Sequence, residues 1–161
     1  MSMIRKCAFV IFLAASACVS AGAQCPSGSL AVIVNKSNPT DSLSVAQLRR
    51  LLIGDVRAWP DHKNVALVER DSSSKVFQCS LSNIVRLSEP EYHRYMISAE
   101  FRGEEPMAVQ TVDSDASAAR LVAGQPGGIA LVDMSSAAAL SSSVKVIHVN
   151  GKNPGEAGYP L

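Results

Sequence analysis

The sequence predicts an α/β fold, a mainly parallel sheet flanked by helices, in one domain. Three observations predict it. Short, continuous, β-branched apolar runs read as strands covered on both faces. They alternate with capped or amphipathic segments of helical length, the pattern of strand–helix units. The chain's 161 residues, 47% of them hydrophobic, allow one apolar core and make two improbable.

The elements follow in order. Arg5 and Lys6 precede an apolar run from Cys7 to Ala17, and Ala21-Gly22-Ala23 supplies the small residues a signal peptidase requires. Residues 1–23 are therefore expected to be a cleaved secretory signal, and residues 24–161 the single mature domain, starting at Gln24 in the periplasm. The rivals are a lipoprotein signal acylated at Cys18, which lacks the usual large aliphatic residue three positions earlier, and a membrane anchor, for which the stretch is short and weakly hydrophobic. Cleavage leaves two cysteines, Cys25 and Cys79. In an oxidising compartment a bridge between them competes with the alternative of a buried thiol at Cys79 and an exposed one at Cys25.

Leu30 to Val34 reads as a buried strand, and Asn38-Pro39 marks a loop. Ser44 to Ile53 reads as a helix, with Ser42 or Ser44 as cap, Val45, Leu48, Leu51 and Leu52 on one face, and Gly54 as its stop. Val65 to Val68 is a second strand, and after Ser72-Ser73-Ser74 an amphipathic stretch runs through Val76, Phe77, Leu81, Ile84 and Val85. Helices are predicted over Glu89–Phe101, with Pro90 in the first turn, and over Ser114–Ala123. Ile129–Val132 and Val144–Val149 complete the strands, the Ser/Ala run 135–143 is too short for a separate linker, and the Gly- and Pro-rich segment 150–161 is expected along the surface.

Composition excludes several functions. Fifteen Lys and Arg balance fourteen Asp and Glu with no basic block, which argues against nucleic acid. His62, His93 and His148 lack metal-ligand spacing, and no nucleophile elbow, Cys-x-x-Cys or His-Glu-x-x-His motif occurs. Asp113 and Asp115 read as helix-capping carboxylates, and Glu104-Glu105 as a solvated loop. No cofactor is implied. A hydrolase using one of Ser72 to Ser74 with Lys75 as base finds no oxyanion hole or orienting group, so the expectation is a non-enzyme.

One segment stands out. Glu69-Arg70-Asp71-Ser72-Ser73-Ser74-Lys75 joins the end of a buried strand to the start of a helix. Ligands of open α/β sheets gather outside the carboxyl ends of strands, where a helix N-terminus presents unpaired N–H groups. Arg70, Ser72, Ser73, Ser74 and Lys75 supply cationic and hydroxyl donors, which makes them candidate oxyanion ligands. The bland alternative is one capping serine with the others facing water.

Val34-Asn35-Lys36-Ser37-Asn38-Pro39, the run from Ser42 to Leu48, Leu52-Ile53-Gly54 and Trp59-Pro60 resemble the periplasmic phosphate-binding proteins of ABC transporters, of the type 2 periplasmic-binding-protein superfamily. In that family an apolar strand, an Arg and a Ser-Gly-Thr-Arg turn follow. They are matched here by Val65 to Val68, Arg70 and Ser72-Ser73-Ser74-Lys75, and the family's late Pro-Gly-Ala-Ile-Gly-Tyr-Val strand by Pro126 to Val132. The resemblance covers residues 30–133. It departs where Ser73 stands for the turn glycine and Lys75 for the forked Arg, and the chain has length for about one of the family's two lobes.

The resemblance implies a single lobe that binds inorganic phosphate or a related oxyanion with modest affinity, feeding a membrane transporter or sensor. The competing reading is a periplasmic interaction module that keeps the fold without the ligand and docks a partner or a second copy as a homodimer. Its candidate surface is the Gly54–Trp59 loop, against the alternative that Trp59 packs on its own lobe. An open, positive pocket at Ser72 to Ser74 favours binding, and a filled or acidic one favours the module.

Overall fold

The strand buried most completely is the one that runs against the others. In the computed structural model, which describes residues 25–101 and 107–161, Leu30–Val34 (β1) is enclosed at every position. It lies antiparallel between Gly128–Asp133 (β5) and Lys145–Val149 (β6). Ala66–Arg70 (β3) runs parallel to β5 and to Ala108–Val112 (β4), and Ser42–Leu43 (β2) runs parallel to β6. The sheet order is β2-β6-β1-β5-β3-β4. The expected α/β fold with a mainly parallel, helix-flanked sheet is observed, and the reversed β1 makes the sheet mixed. The expected leader (residues 1–23), its cleavage before Gln24, Cys18 and the Glu104-Glu105 pair lie outside the described residues.

Alternation along the central strands feeds two apolar layers. Leu30, Val32, Val34, Leu67, Ile129 and Leu131 face one layer. It is closed by Val45–Leu52 (α1), Lys75–Ser80 (α2), the π-helical turn Leu81–Val85 and Glu89–Phe101 (α3). Ala31, Ile33, Val68, Ala130 and Val132 face the other, closed by Asp115–Gly124 (α4) and Met134–Leu140 (α5). Small side chains at Ala118, Ala119 and Ala137 let those two helices approach the sheet closely.

Local chemistry sets the element ends. Ser44 and Gln47 form a reciprocal capping box: the Gln47 N–H donates to Ser44 Oγ at 3.1 Å and the Ser44 N–H to Gln47 Oε1 at 2.8 Å. Gly54, at φ +75°, takes the left-handed conformation that ends α1. Asn35 Nδ2 donates to the carbonyls of Val122 and Ala123, both at 2.9 Å, and so satisfies the end of α4. Cys25 and Cys79 are bridged, tying the start of the described chain to α2 across a sequence separation of 54.

Of three expectations, one is corrected, the surface placement of the segment after β6, and two are decided between their alternatives. Trp59 is only 4% exposed and its Nε1 donates to the Gly127 carbonyl at 2.9 Å, so it packs on its own lobe and offers no docking anchor. The segment after β6 is not merely superficial, because Tyr159 and Leu161 are buried in the first layer. The Ser/Ala run is no linker: most of it lies in α5, begun by Asp133, whose side chain accepts from the Ser135 N–H at 2.9 Å, and its last three residues form the turn that follows.

Candidate site at the carboxyl ends of β3, β4 and β5

Parallel pairing brings three carboxyl ends to one margin of the sheet: Arg70 of β3, Val112 of β4 and Asp133 of β5. Each strand leads directly into a helix there, and all three helices are capped by their own side chains, from Ser74, Ser114 and Asp133. The margin therefore has the placement expected of an α/β ligand site, but its helix N–H groups are partly taken.

Arg70 is the central cation. Alternation on β3 turns it toward α4, where one guanidinium nitrogen pairs with the Asp115 carboxylate and Nη2 donates to the Asp113 carbonyl at 2.7 Å. The side chains of the Arg70–Asp115 pair are 14% and 11% exposed, so the pair is largely dry. The second Asp115 oxygen accepts from the Asp133 backbone N–H at 3.1 Å. A carboxylate thus sits on a guanidinium and a strand-end amide. Arg70 Nε is buried beside it with no hydrogen-bond partner.

The serines turn inward on the loop itself. Ser74 Oγ accepts from the Phe77 N–H at 3.1 Å and donates to the Asp71 carbonyl at 2.7 Å, which makes it the cap of α2. Ser73 donates to the Asp71 carboxylate. Ser72 is exposed, and its carbonyl accepts from Gln78 Nε2 at 2.6 Å. Lys75 is exposed and hydrogen-bonds no described residue, yet it lies close enough to help lower the Asp133 pKa. Of the five predicted residues, Arg70 stands apart on the α4 side, Ser73 and Ser74 are folded over Asp71, Ser72 is exposed with its carbonyl taken by Gln78, and Lys75 stays in solvent.

Sequence reasoning took Asp113 and Asp115 as helix-capping carboxylates, but Ser114 caps α4 and Asp115 pairs with Arg70; it missed Asp133 altogether. Asp71, Asp113, Asp115 and Asp133 share this margin with Arg70 and Lys75. The Ser117 and Ser114 hydroxyls hold Asp113 below the usual carboxylate range, and Ser135 does the same for Asp133, assisted by Lys75 and Arg70. A signal was present at the strands that end on this margin: an acidic residue stands at Val112-Asp113 and Val132-Asp133, and two residues beyond Glu69 at Asp71. Among the described residues no group of three or more His, Cys, Asp or Glu is placed to hold a metal, and no helix is long and apolar enough to cross a membrane. His93 lies 55% exposed beside Glu89, and its ring stacks near Phe77 at 6.3 Å.

No protein-family model matches the sequence, and no curated protein matches it. Solved structures do. An ABC-type phosphate transport receptor from Vibrio cholerae superposes with a TM-score of 0.62 at 22% identity, over 78% of this chain and 48% of its own. The fold is shared with phosphate receptors. PstS from Borrelia burgdorferi gives a TM-score of 0.64 at 15% identity, covering 78% of this chain and 49% of its own. A putative phosphate ABC transporter substrate-binding protein with bound phosphate from Clostridium perfringens gives 0.61 at 19% identity, over 78% and 46%. The chain spans about half the length of each of these proteins.

Proposed function

We propose that the chain is a secreted, non-enzymatic, single-lobe binding protein that takes phosphate or a related oxyanion at the Arg70–Lys75 margin and serves a membrane transporter or sensor. One observation carries the reading: the Asp115 carboxylate occupies Arg70 and the Asp133 N–H as an oxyanion ligand would. Phosphate presents the same acceptor chemistry, with further oxygens for Arg70 Nε and the Lys75 ammonium. Phosphate must displace a tethered carboxylate from a largely dry ion pair, so affinity falls in the millimolar range, roughly 1–10 mM. The likeness in fold to phosphate receptors supports the ligand class and a periplasmic location.

A second reading has its own support. The criterion of a filled or acidic mouth is met: Ser73 and Ser74 are engaged on their own loop, and Asp71, Asp113, Asp115 and Asp133 outnumber Arg70 and Lys75, which favours an interaction module that has given up its anion. Calorimetric titration of the mature protein with phosphate, sulfate and a dicarboxylate separates the two. Phosphate binding that weakens with salt, and weakens more in Lys75→Glu than in Ser74→Ala, supports the first. Absence of binding at millimolar phosphate transfers the margin to the second. N-terminal sequencing of the periplasmic protein tests secretion, with Gln24 the expected first residue and Met1 the refuting one.

A further inference from the structure

A cavity of about 370 Å³ lies on the face of the sheet away from Arg70, between β3, β4, α3 and the turn after α1. Ile53, Met96, Met107 and Val109 give it apolar walls. Its most buried polar lining is Glu69, one residue before Arg70 and on the same face of β3 as Leu67, together with Tyr92, which is 2% exposed. The Tyr92 hydroxyl meets Glu69 Oε1 and also lies 3.1 Å from the Leu52 carbonyl. No described residue hydrogen-bonds Glu69 Oε2, and the oxyanion reading makes no use of this carboxyl. The volume falls in the range of small-molecule sites, about 300–1,000 Å³.

We propose that this cavity binds a small aliphatic monoamine, its ammonium on Glu69 and its chain against Met96, Met107 and Val109. The chemistry excludes the alternatives in turn. A carboxylic acid would set a second carboxylate against Glu69. A neutral apolar molecule would cover the carboxyl without supplying a donor, at the cost of an unmet polar group. An ammonium supplies the donor and the counter-charge together, and polarisable thioethers and the Tyr92 ring suit a cation's surroundings. Arg57 also lines the cavity, its Nε donating to the Gly54 carbonyl at 2.9 Å.

Binding is linked to protons. Burial raises the Glu69 pKa against the opposing pull of Tyr92 and His93. A bound ammonium favours the carboxylate, so binding releases a proton and strengthens as pH rises through the Glu69 titration. The charged and titratable groups facing Glu69 are Tyr92 and His93 from α3 and Arg57 from the turn after α1, with uncharged Thr111 from β4.

Titration of the full mature chain with hexylamine, hexanol and hexanoate, followed by backbone amide NMR at mildly acidic and neutral pH, tests the proposal. Hexylamine should shift the amides of Glu69, Tyr92, Met107 and Val109, bind at least about tenfold more tightly than hexanol, and bind more tightly at the higher pH. Glu69→Gln should lower hexylamine affinity about tenfold. Equal binding of hexylamine and hexanol, retention of affinity in Glu69→Gln, or no response of these amides overturns the proposal. The wild-type pH profile decides the matter even if the Gln variant misfolds. Loss of phosphate binding at Arg70 would leave this result untouched.

Discussion

Replacing Asp115 by Ala probes the pair on which the oxyanion reading stands. Both partners are largely dry, at 14% and 11% side-chain exposure, so the change strands the Arg70 charge in a poorly solvated place. It also removes the acceptor from the Asp133 N–H. Breaking a buried pair from one side costs about 3–5 kcal/mol, and residual exposure puts this case near about 3 kcal/mol. The vacated position should then accept phosphate without competition. With a Kd of about 1 mM, about 20 mM phosphate restores about 1.8 kcal/mol to the variant by mass action. The wild type, binding at about 10 mM against its own carboxylate, gains only about 0.6 kcal/mol. Urea unfolding followed through the fluorescence of Trp59, the chain's single tryptophan, reads both quantities, with sodium chloride at matched ionic strength as control. The reasoning is refuted if Asp115→Ala costs less than about 1 kcal/mol, or if phosphate stabilises the variant no more than chloride does.

Other consequences follow from particular contacts. Cys25→Ala opens a loop of sequence separation 54, which the chain-entropy relation values at about 4 kcal/mol, and unfolding under non-reducing conditions should show most of it; a loss below about 1 kcal/mol contradicts that. Glu69→Gln tests the buried carboxyl. Its raised folded pKa means that stability is full below the unfolded carboxyl range and is lost as pH rises through the folded value. The variant should therefore be more stable than the wild type at neutral pH and nearly equal in acid, and a pH-independent difference in thermal midpoint argues against it. Gly127→Ala should destabilise by at least about 2 kcal/mol, because the added Cβ would lie 1.8 Å from the Asn64 carbonyl oxygen. Gly124→Ala, which meets nothing within 4 Å, should be neutral or slightly stabilising, so equal midpoints for the two variants would contradict the packing account.

Elements dominated by local signals were legible in the sequence. The Leu30–Val34 run is apolar at every position because it lies buried on both faces, and Glu89–Phe101 carries its first-turn acids and Pro90 openly. The direction of β1 was not legible, since an all-apolar run reads alike both ways and its partners β5 and β6 lie far along the chain. Strand β4 escaped because Ala108–Val112 sits at the sheet edge, exposed at four of its five positions, and has no buried face to impose alternation. Helix α5 escaped because alanine and serine give propensity without periodicity. The same division runs through the site. The strand-to-helix turn at Arg70 to Lys75 is local and was visible. The Asp115 partner of Arg70 lies 45 residues away, and Tyr92 lies 23 residues from Glu69, so only the fold brings them together.

The most direct test of the oxyanion margin is a backbone amide NMR titration of the mature wild-type chain with phosphate at constant ionic strength. The account predicts saturable shifts at Ser72, Ser73, Lys75, Asp115 and Asp133, with a midpoint of roughly 1–10 mM. No saturable shift up to about 50 mM phosphate, or shifts gathered around Glu69 and Tyr92 instead, would contradict it.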